Sequence, residues 1–364
     1  GANLVGLHLV SVLPGSCCVP NYLPPELLKV PDLLEAAEHV LRERFPDAQL
    51  LADYTGGTKT MTAGLVTAAL EREDVELRLV TGARGDLVRV HDGTQHSAYA
   101  AAEAARLRRA MAPYLNAWAR YAYGEAAQGL ARIDAPRDAK LRAELQIARD
   151  LSEAFDAWDR FDHAAAFEKL QIYRQRIGER AGAHLKFLEY LTAGDANART
   201  EPARLFDLWL NAQRRAAQGR FDDAVARGYR LLEWTAQWLL RVHAEIDTAD
   251  VPEEKLPPGL GIERNRGGRR QAGLFAAWVL VAHHLKGVPQ RFAVDELDRM
   301  RDRIGVRNRS IFAHGYTPIG NRGWMYFGGW IESALLPVLC EAAAAHGLPR
   351  MPPQLPGEPI WREG

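Results

Sequence analysis

Gln49-Leu50-Leu51-Ala52-Asp53-Tyr54-Thr55-Gly56-Gly57-Thr58-Lys59-Thr60-Met61 is the stretch whose reading decides the fold of the amino-terminal part. Residues 49–54 are an apolar strand, and Thr58–Glu71 has the composition of a helix, so a strand runs through two glycines straight into a helix. Downstream, Val75–Thr81 reads as another strand and Asp86–His91 as an edge strand after a glycine-containing turn. Upstream, Leu4–Val10 is a short strand, and Asp32-Leu33-Leu34-Glu35 is a capping box that opens a helix toward Phe45. Strand, helix, strand, helix, strand predicts an α/β domain with a mostly parallel sheet covered by helices.

After about Ala98 the pattern changes. As far as His346 the chain is rich in Ala, Leu and Arg with helical periodicity, which predicts an all-α region. Two segments repeat a helix start: Arg160-Phe161-Asp162-His163-Ala164-Ala165-Ala166 and Arg220-Phe221-Asp222-Asp223-Ala224-Val225-Ala226, each placing an Asp at the positive end of a helix dipole. Val251–Arg270, with three prolines and four glycines, reads as a long loop, and Leu348–Gly364 as a Pro-rich tail.

Composition narrows the class. The chain has 364 residues, 47% hydrophobic and 25% charged, with a formal net charge of zero, which suits a globular protein and not one that coats nucleic acid through its overall field. Charge is nonetheless uneven: residues 1–100 carry thirteen acidic and eight basic side chains, whereas 261–309 carry eleven basic and five acidic. An anionic polymer is drawn to the second of these, and an anion near the amino end needs a local site. No apolar run is long enough for a transmembrane helix, and the amino end lacks the basic region of a secretory signal. Cys17, Cys18 and Cys340 fit neither a disulfide framework nor a zinc site, so a cytoplasmic location is expected.

Two segments carry chemistry. In the first, Gly56 and Gly57 let backbone amides approach a ligand, the N–H groups opening the following helix favour an anion, and Thr55, Thr58 and Lys59 add hydroxyls and a charge. The order of residues is neither a Walker A loop nor a G-x-G-x-x-G loop. A tight turn with a threonine cap uses the same residues. The second segment is Arg307-Asn308-Arg309-Ser310-Ile311-Phe312-Ala313-His314-Gly315, inside a stretch that otherwise reads as helix. A helix places Arg307 and His314 about two turns apart on one face. There His314 can move a proton, Arg307 can clamp phosphate oxygens and Asn308 can orient either partner, as metal-free RNA cleavage requires.

Asp53–Met61 resembles the signature of CARF domains, the Rossmann-like sensors of cyclic oligoadenylates in type III CRISPR–Cas defence. The resemblance implies that Thr55, Gly56, Gly57, Thr58 and Lys59 contact the phosphates and sugars of the ring and that Met61 lines the pocket or packs beneath it. Ser11 and Thr81, at other strand ends, are further ligand contacts it implies. CARF domains open with an additional strand and helix. Either Leu4–Val10 is therefore the first strand of a contracted domain, or native sequence precedes this chain. Arg307–Gly315 resembles the R-x₄₋₆-H motif of HEPN ribonuclease domains, which the shorter spacing from Arg309 also fits, and Gly219–Glu233 resembles their first long helix.

The expected organisation is then a Rossmann-like CARF sensor over 1–97, a helical linker over 98–199, an HEPN ribonuclease domain over 200–346 and a tail over 347–364. What the resemblance implies is a homodimeric, cytoplasmic endoribonuclease of antiviral defence. It is allosterically activated by cyclic tetra- or hexa-adenylate and cuts single-stranded RNA with Arg307, Asn308 and His314, using no metal or other cofactor. Two other readings stand beside it: a non-catalytic sensor that binds RNA as a dimer, and a sensor domain that also cleaves its own ring.

Overall fold

The computed structural model describes residues 50–53, 59–70, 75–82, 96–99, 102–308, 310–311, 315–348 and 350–361. The chain divides into two compact units, residues 1–112 with 134–145, and residues 113–133 with 146–364.

In the first unit β1 (Leu50–Asp53) leads to α1 (Lys59–Leu70), which returns to β2 (Val75–Thr81). β1 and β2 are parallel, with Leu50 opposite Val75 and Asp53 opposite Arg78. On β2 the side chains alternate: Val75 and Leu77 are buried and Glu76 and Arg78 only partly so, the period of a strand with one covered face. That face packs on Leu65 and Ala69, one turn apart on α1, and on Ala52 and Ala102. Arg106, on α2 (Ala102–Asn116), donates to the carbonyls of Ala69 (2.6 Å) and Val75, satisfying an orphan acceptor in the last turn of α1.

The sheet has a third described strand, β3 (His96–Tyr99), antiparallel to β2 with Thr81 opposite His96. Sequence reading passed over it because His-Ser-Ala-Tyr has no β-branched run. The expected strands Leu4–Val10 and Asp86–His91 and the helix from Asp32 lie outside the described residues.

The second unit is helical. Its elements are α3 (Tyr123–Ala131), α4 (Ala139–Asp159) from residue 146 on, α5 (His163–Ile172), the single turn α6 (Arg174–Ile177), α7 (Gly182–Thr192), α8 (Thr200–Ala217), α9 (Phe221–Ala244), α10 (Leu274–His284), α11 (Val288–Asn308), α12 (Asn321–Trp330) and α13 (Leu336–Ala345). A π-helical turn at Ile331–Leu335 joins the last two. Val251–Arg270 carries no long element, as its prolines and glycines predict. Among the described residues no helix is long and apolar enough to cross a membrane.

One turn recurs before α3, α5 and α9. Tyr121, Phe161 and Gly219 have φ of 57°, 64° and 73°. Each donates its N–H three residues back, to Trp118, Trp158 and Ala216, at 2.8–2.9 Å. The next residue, Ala122, Asp162 or Arg220, reaches five back to Ala117, Ala157 or Arg215 at 2.8–3.0 Å. This paired closure satisfies the last carbonyls of one helix and launches the next. At the second turn Asp162 also caps α5 by accepting from the Ala165 N–H at 3.2 Å.

The helices close over a polar knot. Arg214 is wholly buried, and burial pushes its pKa down. It donates to Asp159 Oδ1 (2.7 Å) and Gln354 Oε1 (2.7 Å), and Asp207 lies 3.6 Å away. Asp207 in turn accepts from the Trp158 indole at 3.0 Å and meets His163 at 2.8 Å. Gln354 belongs to the Pro-rich segment, which crosses the helices as a strap: Pro356 O accepts from Tyr123 Oη at 2.7 Å, and Leu355 and Trp361 are buried.

Candidate functional site

In the first unit, parallel pairing puts the carboxyl ends of β1 and β2 at the same sheet edge, and α1 begins at Lys59, with five residues between it and the end of β1. Residues 54–58 therefore join a strand end to a helix start at the edge where parallel sheets bind ligands. Thr81 closes β2 at that edge and is half-buried. Lys59 and Met61 lie in the first turn of α1. Ser11, Thr55, Gly56, Gly57 and Thr58 lie outside the described residues.

In the second unit, α9, α11 and α12 converge. α9 and α12 approach closely because Gly228 has no side chain: a Cβ there would sit 2.6 Å from the buried ring of Phe327. That approach brings Tyr229, the next residue, into reach of α11. The Arg307 guanidinium carbon lies 4.5 Å from the centre of the Tyr229 ring, a cation–π contact that fixes the plane of the fork. Asn308, the last residue of α11, is exposed.

The helix stops there, and this corrects one expectation. Ser310 donates its N–H to the Arg307 carbonyl at 2.9 Å, and Gly315 donates to the Ser310 carbonyl at 3.2 Å, so the chain turns away from the axis at the polar Asn308 and Ser310. A shared helical face is therefore not what relates Arg307 to His314. His314 and Arg309 lie outside the described residues. Beyond them the chain is tied back by the Ile319 N–H, which donates to Asp222 Oδ2 at 3.1 Å. Asp222 and Tyr229 are seven apart on α9, two turns along one face, so one helix anchors both the arginine and the returning loop.

The four arginines in the second half of α11 differ in their partners. Arg299 pairs with Glu296 (2.7 Å) and Arg301 with Asp298 (3.9 Å). Arg303 and Arg307 make no ion pair among the described residues. Arg303 instead lies 3.6 Å from the centre of the Tyr326 ring and donates to the Tyr326 carbonyl at 2.7 Å. The sequence singles out Arg307 and Asn308 but not Tyr229, Arg303 and Tyr326, which meet these arginines only through contacts between distant helices. Among the described residues no cluster of His, Cys or carboxylate side chains has metal-binding geometry.

The helical arrangement and the Arg-Asn pair ending α11 define an HEPN-type domain, and comparison with known proteins agrees: residues 194–335 match the family model described as the Csm6 HEPN domain. The fold is similar to that of Enterococcus italicus Csm6, solved bound to cyclic hexa-2'-fluoro-hexa-dAMP. The TM-score is 0.52 at 12% identity, over 87% of this chain and 78% of that one. Residues 194–335 are thus similar to a Csm6 HEPN domain, and the likeness to the solved Csm6 shows a shared fold. A search of curated proteins found no match.

Proposed function

We propose that this protein is a ribonuclease that a cyclic oligoadenylate switches on. The match of residues 194–335 to the Csm6 HEPN domain carries the reading, because that span includes Arg307, Asn308 and His314. In this reading residues 1–97 form a Rossmann-like CARF sensor, 98–199 a helical connection, 200–346 the HEPN ribonuclease and 347–364 a tail. The ring sits over Thr55–Lys59, with Met61, Thr81 and Ser11 around it. The likeness to a Csm6 solved with a cyclic hexa-adenylate analogue supports a ligand of that class.

Cleavage is a transesterification. The ribose 2′-oxygen loses its proton and attacks phosphorus, and the bond to the 5′-oxygen breaks, leaving a 2′,3′-cyclic phosphate and a 5′-hydroxyl. His314 moves a proton, Arg307 holds the phosphorane oxygens and Asn308 orients its neighbours. Such roles are worth about 10²–10⁴-fold for the acid–base step and a few kcal/mol for the charge clamp. No step needs a metal ion. Two copies of the chain share the sensor pocket and complete a composite cleft, and the ligand shifts the population of dimer states.

The test is cleavage of a fluorogenic RNA with cyclic tetra- or hexa-adenylate, with and without chelator. One ring is expected to activate cleavage regardless of chelator. His314→Ala abolishes cleavage but leaves ring binding intact, and Lys59→Ala raises the ring concentration needed. Retained cleavage by His314→Ala, or strict dependence on a divalent ion, overturns the mechanism.

A further inference from the structure

We propose that Arg303, seated on Tyr326, is a second phosphate contact for single-stranded RNA, one helical turn before Arg307. This rests on the ribonuclease reading for its substrate class and adds a subsite to it.

The argument begins with charge. The segment 261–309 has a surplus of basic residues, but a charge already neutralised by a neighbour does little for a polyanion. Glu296 holds Arg299, and Arg301 has Asp298 at 3.9 Å beside the Phe275 ring at 5.6 Å, whereas Arg303 and Arg307 face aromatic rings with no ion pair among the described residues and keep their charge for a ligand. Stacking on a ring leaves the edge of a guanidinium free, and Arg303 spends one of its five N–H donors on the Tyr326 carbonyl.

Spacing comes next. Residues four apart on a helix lie on one face and differ by about 6 Å along the axis, close to the repeat of neighbouring phosphates in an extended strand. Arg307 and Arg303 can therefore take adjacent phosphates, and the strand runs back along α11 over α12. Tyr326 is 47% exposed and Met325 64% exposed, so the platform is open to solvent.

The test is binding of a 2′-O-methylated oligoribonucleotide, whose blocked 2′-oxygens prevent cleavage, by fluorescence anisotropy across a salt series. Arg303→Ala is expected to weaken binding and reduce the log–log salt slope by about one. Arg303→Lys restores the slope, Tyr326→Phe behaves as wild type and Arg299→Ala leaves the slope unchanged. An unaltered slope and affinity in Arg303→Ala, or no binding by the wild type at low salt, overturns the proposal. Arg303-dependent binding without cleavage of unmodified RNA by the activated wild type sinks the ribonuclease reading and leaves the subsite standing. Equal KM and salt dependence of cleavage in wild type and Arg303→Ala does the reverse.

Discussion

Tyr229 aims Arg307. Its ring holds the guanidinium from one side, and without it the arginine has a long side chain's usual choice of rotamers. A contact of this kind is worth about 1–2 kcal/mol when partly desolvated, so on the proposed ribonuclease reading Tyr229→Ala is expected to lower kcat for RNA roughly five- to thirty-fold with little change in KM. Tyr229→Phe keeps the ring and most of the rate. Steady-state kinetics of the two variants decide the matter, and equal losses in both rule out an aiming role for the ring. Arg307 and Asn308 were legible from the sequence because they are adjacent and chemically distinctive. Tyr229 lies 78 positions earlier on another helix, and no local pattern couples it to them.

At the scale of elements, the site depends on how closely α9 approaches α12. Gly228 sets that distance, since a methyl group there meets the buried Phe327 ring. Gly228→Ala is expected to destabilise the helical unit by about 1–3 kcal/mol through overpacking. Chemical denaturation read by circular dichroism measures the loss, and unchanged stability would show that the helices give way freely. The recurring turn was partly legible: Asp162 and Asp222 marked two of the helix starts, whereas the turn at Tyr121 has no such signal. Two of the three positive-φ positions hold aromatic residues where glycine is the usual choice, so the closure was hidden from residue type alone. The end of α11 was hidden as well. Apolar periodicity carries on past Asn308, and the stop comes from backbone hydrogen bonds that a pattern of side chains does not report.

At the scale of the whole molecule, the change from α/β to all-α composition was legible to within a few residues, because β3 ends at Tyr99 and α2 begins at Ala102. The strap was not, since prolines forecast the absence of regular structure and say nothing about docking. Its central contact is measurable. Gln354→Ala leaves a donor of buried Arg214 without its acceptor and the Leu210 carbonyl without the Gln354 Nε2 donor, and is expected to cost about 1–3 kcal/mol. Thermal unfolding compares it with wild type, and an unshifted midpoint would show that water replaces the amide.

The strap also dictates an order of events. Every helix it ties precedes it in the chain, and the Tyr123–Pro356 bond spans 233 positions. Closing so long a loop adds little to the equilibrium cost, which grows only logarithmically with length, but it cannot happen until synthesis has passed the last helix. During translation Arg214 waits with one donor unanswered. In the finished protein the strap is the natural place for unfolding to begin, because peeling it away exposes the polar knot before any helix has to move.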